Sequence, residues 1–186
     1  MVTIRVFVTL ILWLLKGHAV NGLAINETIL ETNSNATHLE PTSSNNNNLL
    51  LRLGNSCYKF HTDPQIWNEA RKICISEGGY LAILNTDQEA QYLAALLNGL
   101  YPESSLDDSI PDKYWTFIGF HAYFQKGEYV TIDGLNIESS GFNHFSPGEP
   151  NNPGVENCGT IGRNGLLNDY FCDRKSIYIC EIPAKQ

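Results

Sequence analysis

The sequence is short of the features that mark several large functional classes. It has one Met, three Trp and only 12 Lys and Arg against 20 Asp and Glu in 186 residues. Basic residues are too few and too scattered for binding through phosphates, which needs clustered Lys and Arg, so nucleic acid is excluded as a partner. No His-Glu-x-x-His or Gly-x-Ser-x-Gly motif occurs, the five His are scattered, and no Cys pair has zinc-finger spacing. Metalloprotease, serine-hydrolase and structural-zinc readings therefore lose their sequence support. No apolar run is long enough to span a bilayer. What the chain does have is an apolar content of 42%, enough for one folded domain, and five cysteines, an odd number.

The amino terminus reads as a secretory signal. Arg5 supplies the positive flank, Val6 to Leu15 form the apolar segment, and small residues at Gly17 and Ala19 suit cleavage, with Ala24 a second candidate end. Ten residues rise about 15 Å as a helix, half of a hydrocarbon core of about 30 Å, which argues against an anchor. Cleavage after Ala19 removes Arg5 and Lys16, leaving 10 basic residues against 20 acidic, a balance of −10. A secreted, extracellular protein should carry its cysteines as disulfides. Residues 20–53 read as a flexible segment. They are poor in large apolar residues over much of their length, run through Ser43-Ser44-Asn45-Asn46-Asn47-Asn48, and hold two N-glycosylation sequons at Asn26 and Asn35.

The texture changes from about Leu49. Asp63-Pro64 predicts the start of a helix bearing Ile66, Trp67, Ala70, Ile73 and Cys74, stopped by Gly78-Gly79. Tyr80 to Leu84 predicts a short strand. Thr86-Asp87-Gln88-Glu89 is a capping box opening a second helix, closed by Asn98-Gly99. Strand-like runs follow at Trp115 to Phe120, Tyr129 to Ile132, Cys158 to Ile161, Leu166 to Asp169 and Ser176 to Glu181. Two helices followed by a run of strands define an α+β fold. The acidic stretch Glu103 to Asp112 reads as a solvated loop, since no ligand spacing organises it. The long Gly- and Pro-rich stretch Gly134 to Glu156 has little periodicity, and such a stretch inside a compact domain is usually functional.

Glu149, Asn151, Glu156, Asn168 and Asp169 stand out in the last third. Three carboxylates and two amides are hard oxygen donors, an inventory that suits Ca²⁺ and suits zinc badly. Carboxylates converging without a cation would repel one another. Taken alone, however, such a scatter of acids and amides is more often plain surface. A Glu149/Glu156 acid–base pair is also conceivable by residue type, although both fit better as metal ligands.

These residues sit in a context that resembles the C-type lectin domain family. Cys158-Gly159-Thr160-Ile161 through Leu167-Asn168-Asp169-Tyr170-Phe171-Cys172, preceded by Gly148-Glu149-Pro150-Asn151-Asn152, looks like its calcium-binding half. Phe117-Ile118-Gly119-Phe120 is similar to its core strand, and Trp67 to Cys74 with Gly79-Tyr80-Leu81-Ala82 to its first helix and next strand. The likeness covers 54–183, and in form the chain also looks like secreted mannose-type (Glu-Pro-Asn) lectins of arthropod haemolymph.

The resemblance implies a disulfide-stapled fold of two helices, short antiparallel sheets and a long calcium-binding loop. It makes Glu149, Asn151, Glu156, Asn168 and Asp169 the ligands of one Ca²⁺. Pro150 would be cis, turning Glu149 and Asn151 toward the same ion. Glu-Pro-Asn implies glycans with equatorial neighbouring hydroxyls, such as mannose, glucose, N-acetylglucosamine or fucose, displayed on microbial or cell surfaces and read in innate immunity. An auxiliary calcium site is expected to be absent, because its positions align with Ala122, Lys126, Asn152 and Asn157. Val155 and His144 lie near the loop but read as plain loop residues. Leu167 and Phe145 stand where the family usually has Trp, swaps expected to alter packing more than ligation. The family pairs Cys74 with Cys180 and Cys158 with Cys172. Cys57 lacks its usual upstream mate, so it is either a buried free thiol or an interchain bridge forming a homodimer. The rival to a lectin is a module of the same fold that binds a protein independently of sugar. Catalysis is not expected.

Overall fold

The computed structural model describes residues 49–184. The expected signal peptide at 1–19, the sequons at Asn26 and Asn35 and residues 20–48 of the N-terminal segment lie outside the described residues. The domain boundary at 54 falls inside the first hairpin: β1 (Leu50–Leu53) pairs antiparallel with β2 (Ser56–Gln65).

The predicted helix start at Asp63-Pro64 is corrected. Both residues belong to β2, and α1 runs Trp67–Ser76 with Ile66 at its N-cap and no side-chain cap. Pro64 lies where the register between β2 and the last strand, β8 (Ser176–Pro183), shifts between His61 and Gln65. A residue without an N–H is tolerated at such an irregularity, so the Asp-Pro pair ends a strand instead of opening a helix.

The short strand is real only at β3 (Tyr80–Leu81). The next residues still bridge, with Ala82 N donating to Ile179 O (2.9 Å) and Gly119 N donating to Ala82 O (2.8 Å). That approach explains Gly119, where a Cβ would sit 2.3 Å from the Leu81 carbonyl.

The capping box forms as read. Thr86 accepts from Glu89 N, and α2 runs Asp87–Leu100 with Ala90, Leu93, Ala94 and Leu97 buried. It continues past Asn98-Gly99. The Arg163 guanidinium donates to the carbonyls of Leu97 (3.4 Å) and Tyr101 (2.8 Å), satisfying groups that a glycine cap would otherwise serve.

β4 (Trp115–His121), β5 (Val130–Thr131), β6 (Cys158–Gly162) and β7 (Leu167–Tyr170) complete the elements. The eight strands form one sheet, ordered β1-β2-β8-β4-β6-β7, with β3 on β8 and β5 on β4. Every pairing is antiparallel except β4 with β8, which meet at Phe117 and Tyr178. Two apolar clusters fill the interior. One joins α2 to the sheet through Leu93, Leu97, Ile118, Phe120 and Ile177. The other surrounds Trp67, Phe117, Tyr178 and both disulfides, Cys74–Cys180 and Cys158–Cys172. Cys57 carries a free thiol, half-buried between Arg52 and Ile182 on the neighbouring strands.

Candidate functional site

The long loop between β5 and β6 holds one short helical turn, Ile137–Ser139, and its His144–Ser146 stretch lies against β7. Leu167 N donates to His144 O and Ser146 N to Leu167 O, each at 2.8 Å. This bridging brings the Glu149–Asn151 segment alongside Asn168 and Asp169. The Glu149–Pro150 peptide is cis.

The polar contacts converge on Asp169, which is fully buried. Its Oδ1 accepts from Asn151 N (3.2 Å) and its Oδ2 from the Tyr129 hydroxyl (2.7 Å). Asn151 Nδ2 donates to Glu149 Oε1 (2.9 Å), and Asn152 Nδ2 donates to Glu156 Oε2 (3.2 Å). Glu149, Asn151, Glu156 and Asn168 line an open cavity of about 280 Å³, together with Asp112, Trp115, Tyr170, Phe171 and Arg174. The Arg174 guanidinium lies 3.7 Å from the centre of the Phe171 ring. All five sequence-selected oxygen donors thus meet in one place, with Asn151 exposed, Glu149 half-buried, and Glu156, Asn168 and Asp169 buried.

The electrostatics are those of crowded acids. Burial pushes the Glu149 carboxyl above the ordinary glutamate range, and Asp169 and Glu156 add to the rise. Burial also raises Glu156, with Asp169 acting the same way against the Asn152 hydrogen bond and Arg174. Glu149 Oε2 is buried and has no hydrogen-bond partner among the described residues. A buried carboxylate oxygen without a donor is costly unless a cation meets it.

Sequence reasoning missed Tyr129. It lies 40 residues from Asp169, and nothing in its spacing marks it as more than a strand residue. Phe145 packs on the Tyr129 ring with centroids 5.6 Å apart, and Leu167 is buried in the core, so both aliphatic or aromatic replacements serve packing. His144 turns to Asp87 (3.4 Å), and Val155 is 63% exposed; neither lines the cavity. His61, Glu77 and Cys180 also cluster, but Cys180 is in a disulfide and Glu77 is bonded to Lys59, which leaves no metal site there.

This fold and its loop are those of the C-type lectin-like class of domain. Residues 63–182 match the family model of the Lectin C-type domain, and the chain belongs to that family. It is 38% identical over 127 residues to the "Hemolymph lipopolysaccharide-binding protein" of Periplaneta americana, and 30% identical over 125 residues to human "C-type lectin domain family 17, member A". Each alignment covers 67% of this chain, but only 48% and 29% of those proteins, so the chain spans about half or less of these relatives. Among solved structures, the mouse scavenger receptor C-type lectin carbohydrate-recognition domain aligns with a TM-score of 0.60 at 21% identity, covering 73% of this chain and 96% of that one. The carbohydrate-recognition domain of cow CD23 aligns with a TM-score of 0.60 at 23% identity, covering 74% and 95%. These relatives are binding proteins of the C-type lectin family. Among the described residues no helix is long and apolar enough to cross a membrane.

Proposed function

We propose that this chain is a secreted, extracellular lectin that binds glycans with equatorial neighbouring hydroxyls, of the mannose, glucose, N-acetylglucosamine or fucose type, in a calcium-dependent way. The observation that carries this is the orphaned Glu149 Oε2 inside a cluster of three carboxylates and two amides. The donor set fits Ca²⁺, which takes six to eight oxygens, and Glu149, Asn151, Glu156, Asn168 and Asp169 would hold it. When bound, Ca²⁺ supplies a Lewis-acidic centre at which two sugar hydroxyls replace water.

The chain's own residues do the orienting. Glu149 and Glu156 accept hydrogen bonds from the two hydroxyls, and the Asn151 and Asn168 amides donate hydrogen bonds to them. Tyr129 and Asn151 N hold Asp169 in place through one carboxylate oxygen each. One calcium is proposed, not two. Lys126 lies against Gly154, so closely that a Cβ at Gly154 would be 3.1 Å from its side chain, and an ammonium-bearing chain there opposes an auxiliary cation. Recognition of microbial or cell-surface glycans in innate immunity is the biological setting proposed, by analogy with the cockroach relative's lipopolysaccharide binding.

A single shallow two-hydroxyl contact is weak, and several sites held together raise avidity. Cys57 is the one cysteine outside a disulfide, and we propose it as the link of a homodimer; a monomer on both reducing and non-reducing gels would remove that idea. Retention on mannose-agarose in calcium, release by chelator, and loss in the Glu149→Gln/Asn151→Asp double variant test the lectin reading. Retention that ignores chelator would overturn it, and absence of retention on any sugar would favour the protein-binding alternative.

A further inference from the structure

Another cavity lies away from the five-donor site. It measures about 540 Å³ and is shaped by α1 through Trp67, Asn68, Arg71 and Ile75, by Tyr80 and Ile83, by His121 and Tyr123, and by Ile132 and Asp133. The volume falls in the range of small-molecule sites, and the lining is mostly aromatic and branched aliphatic with a few polar groups, as such sites are. None of these residues belongs to the five-donor set.

Its charged groups are unusual in being unspent. Arg71 uses Nε and Nη2 on a single neutral acceptor, Asn68 Oδ1 (3.2 and 3.1 Å), and pairs with no carboxylate among the described residues. Asp133 accepts only from the Thr131 hydroxyl and pairs with no cation among them. The two therefore share a cavity without neutralising each other.

The charges are also segregated. Arg71 acts on His121 and Tyr123. Burial, then Arg71, lowers His121 below the ordinary histidine range, so it is a neutral donor; its Nδ1 accepts from Tyr123 N (3.4 Å), which puts its proton on Nε2. Asp133 acts on Tyr80, whose hydroxyl also faces Glu181, and with burial leading they push that phenol up to about 12. One end is thus a guanidinium with a neutral imidazole, and the other a carboxylate beside an electron-rich ring.

We propose that this cavity is a second, calcium-independent binding site for a small zwitterion, its anion seated at Arg71 and its ammonium at Asp133 and Tyr80. A fork of N–H donors suits phosphate or carboxylate oxygens, and a carboxylate with an aromatic face suits an alkylated ammonium. Neutral sugars and hydrocarbon would fill the volume but leave both charges unpaired. Phosphocholine carries both groups and serves as the probe.

The test is isothermal titration of the full chain with phosphocholine, once in calcium and once in chelator, so that the five-donor site cannot affect the reading. Phosphocholine should bind equally in both. Choline alone and inorganic phosphate alone should each bind at least about tenfold more weakly, and Arg71→Gln and Asp133→Asn should each weaken phosphocholine roughly tenfold at an unchanged thermal midpoint. Glycine betaine in place of phosphocholine reads whether phosphate or carboxylate is preferred at Arg71. Pelleting with phosphatidylcholine vesicles assigns the group to a lipid, and binding of the soluble form alone assigns it to another carrier; either must be lost in both variants. Binding that disappears with calcium, survives both substitutions, or is matched by choline or phosphate alone overturns the proposal.

Discussion

Glu181 and Glu149 are both glutamates withdrawn from water, and the chain surrounds them differently. Glu181, on β8, has Ser56 Oγ on Oε1 (2.6 Å) and Ile83 N on Oε2 (3.2 Å), with the Tyr80 hydroxyl close by. Nearby Glu89 is treated the same way, accepting from the Tyr58 hydroxyl and from Asn85 N (2.9 Å). In the loop before β6, Glu149 receives one donor, Asn151 Nδ2, and its other oxygen has none. Burial raises the pKa of both Glu181 and Glu149. The difference is in the donors: an acid that serves the fold is fully bonded within it, and an acid left short of donors is set up for something the chain does not itself contain.

The largest way to probe this contrast is through the two bridges. Cys74 and Cys180 are 106 residues apart and belong to the fully bonded end, whereas Cys158 and Cys172 are 14 apart and flank the loop site. In the chain-entropy model, replacing the first pair by Ser should cost about 5 kcal/mol and the second about 3 kcal/mol, read from urea midpoints. A larger cost for the short bridge would make the loop end the mainstay of stability.

Next come the two acids. Glu181→Ala strands the Ser56 hydroxyl and Ile83 N–H and should cost about 2–3 kcal/mol. Glu149→Ala in chelator should change stability by under about 0.5 kcal/mol, or raise it, because it removes a partly unbonded carboxylate. Equal losses would end the contrast.

A smaller effect is expected at Tyr129→Phe. It removes the hydroxyl that holds Asp169 and should weaken calcium binding about tenfold by calorimetry, with the order of sugar preference unchanged. Unaltered calcium affinity would show that the loop positions Asp169 unaided.

The smallest concerns acid stability away from both sites. Burial raises Glu77, but Lys59 and His61 outweigh it and hold the carboxyl below the ordinary glutamate range. Burial also keeps His61 neutral against the pull of Glu77, so their 3.0 Å contact is a hydrogen bond at neutral pH. A depressed carboxyl contributes stability above its unfolded pKa of about 4.5 and loses it as pH falls through the folded value. Glu77→Gln should therefore flatten the stability profile below about pH 4.5 in acid titrations followed by circular dichroism.

The readable parts of this molecule were those with local signals. The Thr86 box, the apolar stripe of α2 and the Glu-Pro-Asn and Asn-Asp segments each declare themselves within a few residues. The misread parts depend on partners far along the chain. Asp63-Pro64 has the chemistry of a helix start, and only pairing with β8 makes it the end of a strand. The alternation of buried Tyr58 and Phe60 with Lys59 and His61 is too short to outvote it. Asn98-Gly99 looks like a stop until Arg163 arrives from the β6–β7 turn to satisfy the carbonyls beyond it. Tyr129 reads as a strand aromatic until the pairing of β7 with β6 sets Asp169 beside its hydroxyl.

The pairing of β2 with β8 sets Ser56 opposite Pro183, and Ala184 N donates to Asn55 O at 2.8 Å. The first long strand and the last strand therefore lie side by side, and the folded part is topologically a closed loop of chain fastened at one seam. Such a unit is portable. It can be spliced between two stretches of unrelated polypeptide with little distortion of either, since β1, by which the chain enters, and β8, by which it leaves, flank the same strand β2.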